Sequence, residues 1–290
     1  MKIHNINDRI KSKKEGIIVL GYFDSFHLGH QKMVSELIRI SNEKNKDNFV
    51  LTYKNLHIKR DGKMLLSLDN RIELIRQSGV KNIILVDFDK DFNNMTGENF
   101  LSLIKNNFNI TEFIIGDDFH FGKDRAYNIE TLTKNGMRYN KVEPLFINGK
   151  KISSSLVKEA VLNGDMRLSK ELIGRNFFLE GIVQKGKQLG RKLGFPTMNI
   201  NNCDIIYPKA GVYITKTFVY KDKKVYYSMT FVSKDIMECY LFEYEKFSYN
   251  FKIKVDFLDK IRDNLIFNNI DDLKEKIKGD FNFVKSYFNI

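Results

Sequence analysis

The chain has 290 residues, 42% hydrophobic and 29% charged, with a formal net charge of +12, which is long for one core and comfortable for two globular domains. It has no apolar run long enough for a transmembrane helix, its first residues (MKIHNINDRIKSKKEG) lack the apolar core of a signal peptide, and Cys203 and Cys239 stand apart without metal or redox spacing. A cytoplasmic protein is expected, and because its lysines are interspersed with acids (KDKK at 221–224, DDLKEKIK at 271–278), the positive charge points to anionic small molecules rather than nucleic acid or membrane.

Gly16 to Leu20 (GIIVL) has the length and β-branched content of a buried parallel strand, and Met33, Val34, Leu37 and Ile38 form an apolar stripe at helical spacing. Between them, residues 21–30 (GYFDSFHLGH) read as a tight turn opening a helix. The first amides of such a helix are unpaired and carry the positive end of its dipole, which attracts phosphate. His27 and His30 can add ring N–H donors there, and Gly29 removes a side chain from the path of a close-lying triphosphate. These groups suit charge stabilisation on a phosphoryl group in transfer.

Further along, 48–53, 82–86 and 112–116 read as strands, with helices over 67–78 and 97–106. That cadence predicts a parallel sheet with helices on both faces. Ligands gather at the carboxyl ends of such strands, where 21–30 and 116–122 (GDDFHFG) both lie. Ser153 to Lys158 (SSSLVK) reads both as a helix N-cap and as a second phosphate cradle, with Ser154 and Ser155 followed by Lys158 one turn later.

A connecting helix is expected over 168–174. After Arg175 the pattern changes to closely spaced β runs, FFLEGIVQ, GVYITKTFVY, KVYYSMTFV, IMECYLFEY and FKIKVDFL, which predict an antiparallel sheet closed into a small barrel. The tail, 271–288, puts Leu273, Ile277, Phe281, Val284 and Phe288 on one helical face, to pack on that barrel. Within residues 186–199, Gly186, Gly190 and Gly194 recur at every fourth position among Lys187, Arg191 and Lys192, a cationic loop whose amides can approach phosphates. Thr197 and Asn199, two apart in an extended chain, point to one side, and their oxygens suit a hard Mg²⁺ shared with nucleotide phosphates.

GYFDSFHLGH resembles the GxFDxxHxGH signature of the nucleotidyltransferase superfamily, and specifically the N-terminal module of the bacterial bifunctional riboflavin kinase/FMN adenylyltransferase family. Residues 116–122 resemble that family's GxDFRFG, with His120 in place of arginine. Residues 153–158 are similar to SSTxIR, with Ser155 for threonine and Lys158 for arginine. Residues 186–199 resemble the riboflavin kinase signature GxxxGrxlGFPTAN, with Met198 the one change inside PTAN. The likeness covers nearly the entire chain. It departs at Thr52–His57 (family TFxPHP), at Met229-Thr230-Phe231 (PTF) and at Ser248-Tyr249-Asn250 (LYG).

The resemblance implies an α/β plus β architecture: a Rossmann-like nucleotidyltransferase domain over 1–170, and a riboflavin kinase domain over 171–290 built as a small antiparallel β-barrel with a terminal helix. It implies two reactions, riboflavin and ATP to FMN and ADP in the second domain, then FMN and ATP to FAD and pyrophosphate in the first. His27 and His30 are the implied catalytic residues for adenylyl transfer, with ATP contacts from Gly21, Phe23, Asp24, Gly29, Ser154, Ser155 and Lys158, and flavin contacts from Asp118 and Phe119. In the barrel, ATP contacts fall to Gly186, Lys187, Gly190, Arg191, Gly194 and Thr197, and Mg²⁺ falls to Thr197 and Asn199. Phosphorylating riboflavin means deprotonating a primary alcohol, and the implied general base is Glu238. FMN brings a phosphate that is already anionic, so adenylyl transfer needs no base. The alternatives are a chain retaining one activity, or a non-catalytic flavin-binding or nucleic-acid-binding regulator.

Overall fold

A computed structural model describes residues 1–10, 13–54, 63–186, 194–200, 205–233, 236–246 and 248–290. The chain divides into two compact units, Met1–Ser154 and Ser155–Ile290.

The first unit runs β1 (Lys2–Asn5), β2 (Gly16–Leu20), α1 (Leu28–Glu43), β3 (Asp47–Tyr53), α2 (Leu68–Gln77), β4 (Asn82–Val86), α3 (Lys90–Asn93), α4 (Gly97–Phe108), β5 (Ile110–Ile115), α5 (Ile129–Lys134), β6 (Arg138–Lys141), β7 (Phe146–Ile147) and β8 (Lys150–Lys151). Six strands form one sheet in the order β1-β4-β3-β2-β5-β6, every pairing parallel. Their β-branched and aliphatic side chains are buried on both faces, Ile17, Ile18 and Val19 on β2 and Ile83 and Ile84 on β4 being wholly enclosed. Gly16 lets the central strands close up, since a Cβ there would lie 2.6 Å from Ile110 Cδ1. The helices start where side-chain oxygens meet their free amides, Ser67 capping α2 and Thr96 capping α4. The outermost strands, β1 (KIHN) and β6 (RYNK), are additional to the strands expected from the sequence.

The strand order reverses between β2 and β5, so the crevice beyond their carboxyl ends is the topological switch point at which α/β sheets bind ligands. The loop from Gly21 and the loop from Gly116 both start there. Toward the amino ends, ionic contacts close the sheet. Burial alone would raise the pKa of Glu112, but Lys44, Lys46 and Asn140 hold its carboxylate and lower it to about 2.

The second unit opens with α6 (Ser154–Asn163, its first residue ending the first unit) and α7 (Met166–Ile173). There follow β9 (Phe177–Gln184), β10 (Met198–Ile200), β11 (Gly211–Val219), β12 (Lys224–Val232), β13 (Met237–Leu241), β14 (Lys252–Asp263) and α8 (Ile270–Phe288). Six of these strands close into a barrel, β10-β13-β12-β11-β14-β9, with antiparallel pairings throughout. The alternating strand pattern sends Met198, Ile200, Met237, Cys239 and Leu241 inward, all buried, and leaves Asn199, Glu238 and Tyr240 on the outer surface. The interior is not wholly apolar. Thr215, Thr217, Ser228, Thr230 and Cys239 are each 0% exposed and join in a closed ring of hydrogen bonds. Burial pushes the Cys239 thiol pKa up. Cys203 lies outside the described residues.

Helix α8 is fixed to β14 by Arg262, whose guanidinium donates to both carboxylate oxygens of the buried Asp280 at 2.6–3.1 Å. Its apolar stripe is the expected one. Val284 is fully enclosed and Phe281 and Phe288 pack beside it, while Leu273 and Ile277 are half-exposed.

Strands β9 and β10 approach closely at Gly181, where a Cβ would sit 2.2 Å from Ile200 Cγ2. Gly181→Ala is therefore expected to destabilise the barrel by about 1–3 kcal/mol. Adding Ile200→Leu, which moves the branch away from Cβ, should recover part of that loss. Denaturant melts of the single and double variants measure both; a double variant no more stable than the single would contradict the overlap.

Candidate active sites

At the carboxyl end of β2 the chain turns through two phenylalanines with left-handed backbone, Phe23 (φ 53) and Phe26 (φ 46), both buried. A bulky residue in that region costs roughly 1–3 kcal/mol and persists only where its surroundings enforce it. Here they do. The Tyr22 carbonyl accepts from Arg71 at 2.8 Å and from Thr52 Oγ1 at 3.2 Å, and the Asp24 carboxylate accepts the amides of Leu65 and Leu66. Gln31 donates to the Phe26 carbonyl. Gly21 is required because a Cβ would lie 2.9 Å from the Phe23 ring. Asp24 is thus engaged with the 65–66 backbone.

His27 is the N-cap of α1, its Nδ1 accepting the amide N–H of His30 at 3.2 Å. That bond assigns the ring proton to Nε2. The two imidazoles stack with centroids 3.7 Å apart, and Phe23 packs edge-on against His30. Burial drives the His27 pKa down to about 4, with Lys151 acting in the same direction, and burial with His27 alongside holds His30 well below the usual imidazole range. Both rings are neutral at pH 7. The expectation of unpaired amides is therefore modified, since the His30 amide is taken by His27. At Gly29 a Cβ would lie 3.0 Å from the His27 ring, so glycine there also makes room for the imidazole itself.

The neighbouring loop brings further groups. Asp118 is exposed, with Lys151 contacting Asp117 at 2.7 Å and Asp118 at 3.6 Å. Phe119 is partly buried against Phe113 and Phe121, and Phe121 belongs to the core. From these, edge and tilted ring contacts continue through Phe100, Phe92, Phe88, Tyr53 and Tyr22, an aromatic band along the strand ends. Ser25 and Ser154 hydroxyls meet at 3.3 Å. Ser155, exposed, and Lys158, half-buried, lie on α6 with the second unit.

Sequence reasoning passed over Lys151 and Arg71. Arg71 is 1% exposed, donates also to the Tyr53 carbonyl, and has its pKa lowered to about 10 by burial. The available signal was an arginine one turn from Ile75, within the apolar stripe of a predicted helix.

In the second unit, Asn199 on β10 pairs with Glu238 on β13, and Thr197, just before β10, donates its hydroxyl to the Glu238 carboxylate at 3.3 Å. The three side chains share one outer strip of the barrel. Gly186 is packed against Asn199, whose amide atoms would lie 2.3–2.5 Å from a Cβ there. Gly194 is exposed with φ 89, a backbone suited to glycine. Lys187, Gly190 and Arg191 lie outside the described residues, as do Asn55, Leu56 and His57. At the departures from the family pattern, Thr230 belongs to the hydroxyl ring and Ser248 accepts from Lys221. Among the described residues no cluster of three or more His, Cys, Asp or Glu side chains could hold a metal. A cation here would rest on the Thr197 hydroxyl and Asn199 amide oxygens together with substrate phosphates, an all-oxygen donor set that fits Mg²⁺. No described helix is long and apolar enough to cross a membrane.

The depressed His27 pKa means that the unfolded chain, with an imidazole near 6.5, binds a proton where the folded chain does not. Stability of the first unit is then full above pH 6.5 and falls as pH drops from 6.5 to about 4, by about 3 kcal/mol for His27 alone. Amide exchange in β2, corrected for intrinsic rates, measures this, and His27→Asn, which keeps a capping oxygen, should flatten the slope. A flat wild-type profile would contradict the assigned charge state.

A family model for FAD synthetase matches residues 9–156, and one for riboflavin kinase matches 173–288. The bifunctional riboflavin kinase/FMN adenylyltransferase of Buchnera aphidicola subsp. Schizaphis graminum is 33% identical over 99% of this chain and 98% of its own. The Bacillus subtilis protein of that description is 32% identical over 96% and 94%. Among solved structures, one described as a macrolide-efflux protein from Streptococcus pneumoniae superposes with TM-score 0.88 at 24% identity over 98% of each chain, a likeness of fold. With both family models matched in succession and curated relatives aligned from end to end, the chain belongs to the bifunctional riboflavin kinase/FMN adenylyltransferase family.

Proposed function

We propose that residues 171–290 phosphorylate riboflavin to FMN and that residues 1–170 join FMN to ATP, giving FAD and pyrophosphate. The observation that carries the reading is the Thr197–Glu238 hydrogen bond beside Asn199, which sets a half-exposed carboxylate among oxygen donors suited to a nucleotide-bound cation. A regulator that only bound flavin would have no use for that arrangement.

In the kinase reaction the riboflavin 5′-hydroxyl oxygen attacks the γ-phosphorus of ATP, its proton passes to the Glu238 carboxylate, and the bond to the β,γ-bridging oxygen breaks to release ADP. Thr197 holds that carboxylate through its hydroxyl and, with Asn199, would hold Mg²⁺. When bound, Mg²⁺ neutralises charge on the nucleotide phosphates. Gly186, Gly194 and the intervening Lys187, Gly190 and Arg191 would cover the ATP phosphates.

In adenylyl transfer an FMN phosphate oxygen attacks the α-phosphorus of ATP, and the bond to the α,β-bridging oxygen breaks to release pyrophosphate. No base is required. His27 offers its Nε2–H as a neutral donor, His30 stacks behind it, and Gly21, Phe23, Asp24 and Gly29 shape the turn around them. Ser154, Ser155 and Lys158 would contribute hydroxyls and a cation to the nucleotide, and Asp118 and Phe119 would meet the flavin. Neutral imidazoles still donate an N–H, more weakly than imidazolium would, and add no fixed charge that would over-stabilise bound pyrophosphate. The protein is cytoplasmic in this reading, and its partners are riboflavin, FMN, FAD and ATP.

Chromatography of riboflavin incubated with ATP and Mg²⁺ should show FMN, then FAD. His30→Ala is expected to lower FAD formation by about 10²-fold or more while sparing FMN formation, and Glu238→Gln to do the reverse. Equal losses in both reactions from either substitution would overturn this division.

A further inference from the structure

We infer that Phe281 of α8 is a positioning residue for riboflavin phosphorylation, holding the Thr197 and Glu238 strands at their working separation. The inference rests on the kinase reading above. Segment 195–197 enters no strand pairing among the described residues, since the β10 register begins at Met198. Backbone pairing therefore does not fix the Thr197 hydroxyl beside Glu238. Phe195, two residues before Thr197, packs against Phe281 with centroids 5.6 Å apart and against Tyr240 at 6.3 Å. Tyr240, two residues after Glu238 on the same face of β13, packs edge-on against Phe281 at 5.0 Å.

One ring thus packs against a near neighbour of each half of the constellation, Phe195 beside Thr197 and Tyr240 beside Glu238. Phe242 backs it at 4.6 Å, and the preceding residue, Asp280, is the one gripped by Arg262. The wedge cannot slide along the barrel without breaking a buried, multiply bonded ion pair. Val284 lies one turn further on the same helix, fully enclosed against Ile214 and Phe242, and serves as the comparison for ordinary packing.

The test compares Phe281→Ala with Val284→Ala in the full chain, measuring kcat and KM for riboflavin phosphorylation, FMN adenylylation as an internal control, and amide exchange in β11 and β12. Phe281→Ala should lower the phosphorylation kcat at least about tenfold, because small displacements of reacting groups are costly. KM, adenylylation and barrel protection should change little. Val284→Ala should reduce barrel protection yet keep kcat, and Phe281→Tyr should restore it. Where Phe281→Ala unfolds the barrel, Phe281→Leu carries the same expected split. Unchanged kcat, or loss tracking lost protection equally in both alanine variants, would overturn the positioning role. A wild-type chain that adenylylates FMN but makes none from riboflavin would instead overturn the kinase reading, and this inference with it.

Discussion

The hydrogen bond from the His30 amide to the ring of His27 governs the first unit, because three properties of the turn follow from it. It caps α1 with an imidazole rather than a hydroxyl, it fixes which ring nitrogen keeps a proton, and it draws the two imidazoles face to face. The turn that leads from the buried strand into this helix passes through backbone conformations that phenylalanine ordinarily avoids. The cost is met outside the turn, by a buried guanidinium on α2 and a hydroxyl on β3 sharing the Tyr22 carbonyl. The turn, α2 and β3 therefore form one mechanical unit.

The barrel solves a different problem with a different device. Strand alternation divides each strand into an inner and an outer series, and neighbouring residues on β13 serve opposite purposes: Cys239 closes the hydroxyl ring while Glu238 faces Thr197. A one-residue slip would exchange the two. The proposed roles match the chemistry of the two reactions: an alcohol must lose a proton as it attacks, which suits a carboxylate such as Glu238, whereas a phosphate monoester is already a nucleophile and is suited by neutral donors such as His27.

Much of this was legible in the residues. The GIIVL strand, the glycine- and histidine-bearing turn and the apolar stripe of α1 are local signals, and β-barrel strands announce themselves by alternation. The short polar edge strands β1 and β6 did not, because they form by offering backbone to strands already placed, and KIHN or RYNK has no periodicity to mark that. Arg71 was hidden by the habit of reading arginine as solvated, and its partners are carbonyls, which leave no trace in side-chain pattern. For Gly29 the sequence pattern points to room for a ligand, and folding adds a constraint that no local pattern carries, the His27 ring. The grouping of Phe195, Tyr240 and Phe281 joins three segments far apart in the chain, and only folding brings them together.

The ring inside the barrel has a sense of rotation. Thr230 gives its proton to the Cys239 sulfur, so the thiol gives to Thr217, Thr217 to Ser228, Ser228 to Thr215, and Thr215 back to Thr230. One arrow orients the other four, and the circuit closes with nothing left over. Valine has the outline of threonine and belongs in barrel cores by every measure of shape, yet at position 215 or 217 it would strand a neighbour on either side. These strands are thus constrained by proton accounting as well as by volume.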